Sequence, residues 1–136
     1  MIQLVPLLKL AVEVGDPVDL GLCGGVGRRM IPIIGGRVSG AHNGTILPGA
    51  DWQQIGADGC RDIAAHYVLS LDEGLVEVDS RGLRHAASES CGDCYFRTAI
   101  RFKTSSQDLQ YLNKLIAVSA GERLEHRVNL DVFRLT

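Results

Sequence analysis

Residues 63–71, IAAHYVLSL, set Ala65, Tyr67, Leu69 and Leu71 on one face and Ala64, His66, Val68 and Ser70 on the other. That period of two is the pattern of a strand with one face on a core. The turn Asp72-Glu73-Gly74 follows at once, and residues 75–79 return, which makes a β-hairpin. The same grammar recurs. Residues 1–14, MIQLVPLLKLAVEV, alternate as a first strand. Ile31–Val38 is a strand with a Gly35-Gly36 pair in its middle, where a bulge or sharp bend is expected. Asn43–Gly49 reads as a turn and a short strand. Tyr95–Phe102 places Phe96, Thr98, Ile100 and Phe102 on one face against Tyr95, Arg97, Ala99 and Arg101, and Val128–Phe133 closes the chain in the same style.

Sixteen glycines punctuate these runs. About eight strands spaced at roughly 8–12 residues fit a sandwich or a closed barrel, and glycine bends inside strands favour the barrel. One segment breaks the rhythm: SSQDLQYLNKL carries Leu109, Leu112 and Leu115 at helical spacing behind a serine, which predicts one short helix near 106–114. The expectation is an all-β fold, a single antiparallel β-barrel spanning 1–136 as one domain; 136 residues suffice for a core without staples.

Fourteen Lys and Arg against 16 Asp and Glu give a formal net charge of −2, which leaves no cationic surplus for a phosphate backbone and argues against nucleic acid. Lys9 and Glu13 interrupt the early apolar run, which lacks the basic start of an export signal; no run approaches a membrane helix. The expected setting is the cytoplasm, with Cys23, Cys60, Cys91 and Cys94 reduced. The CGDC stretch, 91–94, is a hairpin turn on Gly92-Asp93 rather than a zinc or dithiol site, since Cys23 and Cys60 form no second C-x-x-C pair. GVGRRMIPIIGG lacks the lysine of a phosphate loop. His42, His66, His85 and His126 stand in no metal-ligand spacing, so neither a metal nor a cofactor is expected.

The chemistry-bearing stretch is PGADWQQIGADG, 48–59. Asp51 beside Trp52, the chain's single tryptophan, offers a carboxylate next to an apolar wall that can raise its pKa. The competing reading is a turn capped by Asp51 with Trp52 over one end of the core. Asp58, before Gly59, is an ordinary turn residue or a second acid. Arg97 faces solvent or, if its face lines a lumen, pairs with Asp51 or Asp58. His66 is either a surface histidine or a polar group in a cavity.

On these residues the chain resembles the domain of unknown function 3237 family (the UPF 0311 group). The likeness runs through GRRMIPIIGGRVSG, GTILPGADWQQIGADG, AAHYVLSLDEG, YFRTAIRF and YLNKLIAVSAGERL. The family pattern carries over to Asp51, Trp52, Asp58, Tyr67, Phe96, Arg97 and Asn113, among others; the sequence departs from it at Pro48-Gly49-Ala50, at His66 where arginine is common, and in SESCGDC. The resemblance implies a barrel of lipocalin-like or allene-oxide-cyclase-like outline, and no general activity.

Two functional readings follow. In the first the barrel is a cofactor-independent enzyme for a small, partly apolar, carbonyl- or ring-bearing metabolite, working by isomerisation, cyclisation, lyase chemistry or lactone opening. Asp51 or Asp58 is its base, Arg97 its oxyanion partner, and Trp52, Tyr67, His66 and Asn113 line the ligand. In the second it carries such a ligand unchanged, with the same residues as anchors. A third, purely structural reading makes the Asp–Arg set a buried pair. A half-open barrel edge would invite a homodimer.

Overall fold

The computed structural model describes residues 1–86 and 94–136, so CGDC lies outside the described residues except for the backbone of Cys94. Ten strands follow in chain order: β1 (Leu4–Val14), β2 (Val18–Cys23), β3 (Val26–Gly40), β4 (Gly44–Ile46), β5 (Gly49–Ile55), β6 (Arg61–Leu71), β7 (Gly74–Ala86), β8 (Cys94–Lys103), β9 (Ala117–Arg123) and β10 (Arg127–Leu135). All pairings are antiparallel, in the order β1-β10-β9-β8-β7-β6-β4-β3-β2. β5 shares the place of β4 between β3 and β6, and β1 also pairs β3. The sheet therefore closes into an eight-stranded barrel, with β2 hydrogen-bonded to the outside of β3.

Closure removes the half-open edge on which dimerisation was expected. Among the described strands β2 keeps a free edge, and the barrel wall itself has none. The seam between β1 and β3 explains the glycine pair: Glu13 pairs Gly35 but Val14 pairs Ile33, so Ile34 bulges out of register. Gly36 sits at φ +145°, where a Cβ would stand 2.2 Å from the Ala11 carbonyl oxygen. Only glycine lets the two backbones cross that closely.

The inward face is the alternating apolar set: Leu8, Leu10, Val12 and Val14; Ile31 and Ile33; Ile63, Ala65, Tyr67 and Leu69; Val76 and Val78; Phe96, Ile100 and Phe102; Leu130 and Val132. Nearest-neighbour antiparallel strands place the start of β6 with the end of β7 and the start of β8, and this end, opposite the helix, has no plug among the described residues and is the mouth. The other end is plugged. Residues Gln107–Lys114 form a helix of 3-10 type whose Leu109 and Leu112 are fully buried. Ser106 precedes it without a side-chain capping bond; its hydroxyl instead donates to the Glu73 carbonyl at 2.8 Å. No helix among the described residues is long and apolar enough to cross a membrane.

Candidate functional site

β5 reverses the usual pattern. Gln53 is buried and Asp51 largely so, while Trp52 between them is 43% exposed on the outer face. The reason lies in the register: Asp51 pairs Ala65 and Gln53 pairs Ile63, both inward residues of β6, whereas Trp52 pairs the outward Ala64. Paired residues share a face. The polar residues of this strand thus enter the barrel.

Around Asp51 the lumen is filled by side chains except for a cavity of about 40 Å³, lined by Val12, Val14, Ile63, Tyr67, Phe96 and Thr98 among others. That is room for a few water molecules rather than a metabolite. Larger concavities, up to about 830 Å³, are open grooves on the outer wall. Asp51 and Tyr67 both line the small inner one.

Asp51 Oδ2 accepts a hydrogen bond from Gln53 Nε2 at 2.8 Å, and Gln53 Oε1 accepts from Arg29 Nε at 2.7 Å. Asp51 Oδ1 is buried and has no hydrogen-bond partner among the described residues. Burial raises the carboxyl to a pKa of about 6, opposed by the Gln53 bond and by the positive charges of Arg84, Arg29 and Arg123. The Tyr67 hydroxyl is buried, also without a partner among the described residues, and burial followed by the nearby Asp51 charge raises its pKa far above the ordinary phenol value. Also inside the barrel, the Thr98 and Ser119 hydroxyls bond each other at 2.5 Å.

Above this pair stands a rim of guanidinium groups. Alternation gives Arg29 the inward parity of Ile31 and Ile33, Arg61 that of Ile63 and Ala65, Arg84 that of Val78 and Ser80, and Arg123 that of Ala117 and Ser119. Arg29 pairs Gln53, Arg61 pairs Arg84, Arg84 pairs Phe96, and Arg123 lies at the mouth end of β9. Arg29 is lowered from the usual arginine pKa by burial first, then by repulsion from Arg61 and Arg123, with Asp51 opposing.

Of the residues singled out in the sequence, Asp51 and Tyr67 meet in the lumen. The others do not join them. Arg97 is on the outer face of β8, because Phe96 and Thr98 take the inward positions; its guanidinium lies 5.4 Å from the Tyr95 ring centre and donates to the Phe96 carbonyl at 2.9 Å. It is not the counter-charge of Asp51. Trp52 walls no lumen. Asp58 accepts from the Cys60 amide at 3.0 Å in an exposed turn. His66 is an outer-face residue, 2.7 Å from Glu77 Oε1. Asn113 accepts from the Thr104 amide at 2.8 Å and donates to its carbonyl at 2.9 Å, fastening the helix to the end of β8 at the plugged end.

Sequence reasoning passed over Gln53 and the four rim arginines. Their inward parity was available as a pattern, but polar residues at strand ends ordinarily signal solvent. Among the described residues no group of three or more His, Cys, Asp and Glu could hold a metal ion.

A closed antiparallel barrel, plugged at one end and holding a buried carboxylate beneath an arginine rim, defines the class of this molecule. The sequence profile of the family described as a protein of unknown function, DUF3237, matches residues 2–135, and the chain belongs to that family. It is 34% identical to a UPF0311 protein of Bradyrhizobium diazoefficiens, over 95% of this chain and 93% of that one. A β-barrel-like protein from Acinetobacter baumannii superposes with a TM-score of 0.93 at 33% identity, covering 100% of this chain and 97% of the other. A structure described as an enzyme from Penicillium herquei shares the fold, with a TM-score of 0.77 at 19% identity over 100% and 94% of the two chains.

Proposed function

We propose that this barrel is an enzyme working by general acid–base chemistry without a bound cofactor on a small, partly apolar metabolite bearing a carbonyl or ring. Asp51 is the proton-transferring group. One observation carries the reading: a mostly buried carboxylate, with one oxygen that has no hydrogen-bond partner among the described residues, faces the lumen, and its pKa of about 6 leaves both protonation states accessible near neutrality. Tyr67 supports it as a hydroxyl donor with no partner among the described residues, able to steady negative charge developing on a substrate oxygen. Substrate entry requires side chains at the mouth to move, since the cavity is only about 40 Å³. Isomerisation, cyclisation, elimination and lactone opening all need only such a proton transfer. The distant neighbour described as an enzyme supports the reading at the level of fold alone.

Native mass spectrometry of freshly purified protein identifies a retained small molecule, and NMR then follows that compound with wild type and with Asp51→Asn. Conversion by wild type that is lost in Asp51→Asn, with the fold intact, upholds the enzyme. If Asp51 is the base, kcat/KM rises with pH through about 6. A compound bound by both proteins and altered by neither establishes a carrier instead.

A further inference from the structure

We propose that the mouth of the barrel is an anion site, in which Arg29, Arg61 and Arg123, beside Arg84, take the carboxylate of a planar, partly apolar ligand whose body enters the lumen. This rests on the ligand-binding reading above and adds the charge class of the ligand.

Four strands, two of them the arms of one hairpin, each turn one arginine to the same end of the barrel: β3, β6, β7 and β9. Register places Arg61 directly opposite Arg84 and Arg29 opposite Gln53, and repulsion of Arg29 by Arg61 and Arg123 accords with that grouping. Burial also lowers Arg123, and Asp51 is the negative group that opposes the shift in both Arg29 and Arg123. One carboxylate, itself half-protonated near pH 6, is therefore set against a cluster of cations. Half-buried like charges are costly to assemble, and an outside anion relieves the repulsion of Arg29 by Arg61 and Arg123.

The donors are also open. Arg61 Nε and Arg123 Nη1 are buried with no hydrogen-bond partner among the described residues. Other donors of the set are engaged: Arg29 gives its Nε to Gln53, and Arg123 gives its Nη2 to the Glu125 carbonyl at 3.4 Å. A guanidinium offers its remaining N–H groups in a planar fork that matches a carboxylate, which selects a flat oxyanion over a point charge. Directly beneath, Phe96, Ile63, Val12 and Val128 present an apolar surface at the cavity. A charged head at the rim and an apolar body below is the arrangement proposed for this mouth, with the side chains around the cavity of about 40 Å³ moving aside to admit the body.

The test uses benzoate as the anionic probe and benzamide as its neutral, nearly isosteric control, titrated into the full chain at pH 8 and followed by amide chemical shifts. Benzoate binds at least about tenfold more tightly than benzamide, a difference of about 1.4 kcal/mol. Arg123→Gln and Arg61→Gln each weaken benzoate about tenfold, and Arg97→Gln, on the outer wall, leaves it unchanged. Asp51→Asn tightens benzoate, because a like charge below the rim is removed. Should the arginine variants fail to fold, added chloride in wild type must still weaken benzoate and spare benzamide. Equal binding of the two probes, no benzoate binding, or equal losses in Arg97→Gln and Arg123→Gln would overturn the anion site. None of these arms measures turnover, so an anion site without conversion refutes only the acid–base assignment, and turnover without benzoate preference refutes only the anion site.

Discussion

Gln53 reaches two residues back along one face of β5 to donate its amide to Asp51 Oδ2 at 2.8 Å, and it is itself held by Arg29 at 2.7 Å. The chain of bonds fixes the carboxylate and pulls its pKa down against burial. Replacing Gln53 by Leu removes that pull, so the Asp51 pKa rises above about 6. Carbon-13 NMR titration of the Asp51 carboxyl reads it; an unchanged midpoint would refute the role given to Gln53.

Asp51 costs stability as pH rises. Its folded pKa, about 6, lies above the ordinary 3.8, so the folded state binds the proton more tightly than the unfolded chain. The contribution is therefore most favourable below pH 3.8 and is lost as pH climbs through about 6, a change on the order of 3 kcal/mol. Asp51→Asn removes this dependence. Urea melts between pH 4 and 7.5 should show the difference in stability, variant minus wild type, growing with pH over that window.

Tyr67 hides a hydroxyl with no partner among the described residues. Tyr67→Phe removes that unsatisfied group without emptying the core, and stability is expected to hold or to rise by about 1 kcal/mol. A loss in urea melts would show that the hydroxyl is bonded in solution.

The Thr98–Ser119 hydroxyl pair behaves oppositely, because each is satisfied by the other at 2.5 Å. Thr98→Val strands the Ser119 hydroxyl in the core and should cost about 1–3 kcal/mol. Adding Ser119→Ala should recover part of it. Chemical denaturation of the two single variants and the double closes the cycle.

Trp52 is the only tryptophan, so its fluorescence reports one site. With 43% of its surface exposed on the outer wall, its emission should be that of a solvated indole and should be quenched by acrylamide. Blue-shifted, protected emission would return Trp52 to an interior wall.

The sequence by itself determined most of the strands, the hairpin at 72–74 and the glycine-marked bend, but not β2, β9 or β5, whose Asp51-Trp52 stretch it offered as a loop or capped turn. Alternation over Ala65, Tyr67, Leu69 and Leu71 and over Phe96, Thr98, Ile100 and Phe102 appears in the structure as the inward face, and the helix stands at 107–114. These follow from local sterics and from a period of two, which neighbouring residues carry. Asp51 was also legible as a candidate, but on the ground of Trp52 as its apolar wall, a neighbour that the structure turns outward; Tyr67 was legible as a residue on the apolar face of its strand.

Tertiary structure alone decided which face of a mixed strand turns inward. In ADWQQI both parities are chemically reasonable, and the apolar choice would bury Trp52. Pairing with Ala65 and Ile63 instead buries Asp51 and Gln53, because register with a strand already committed to the core overrides a strand's own hydropathy. The same holds for the rim. Arg29, Arg61, Arg84 and Arg123 are separated along the chain, and each resembles a solvated strand end. Closure of β1 onto β3 curls four strand ends around one opening, and only then do their charges meet over Asp51.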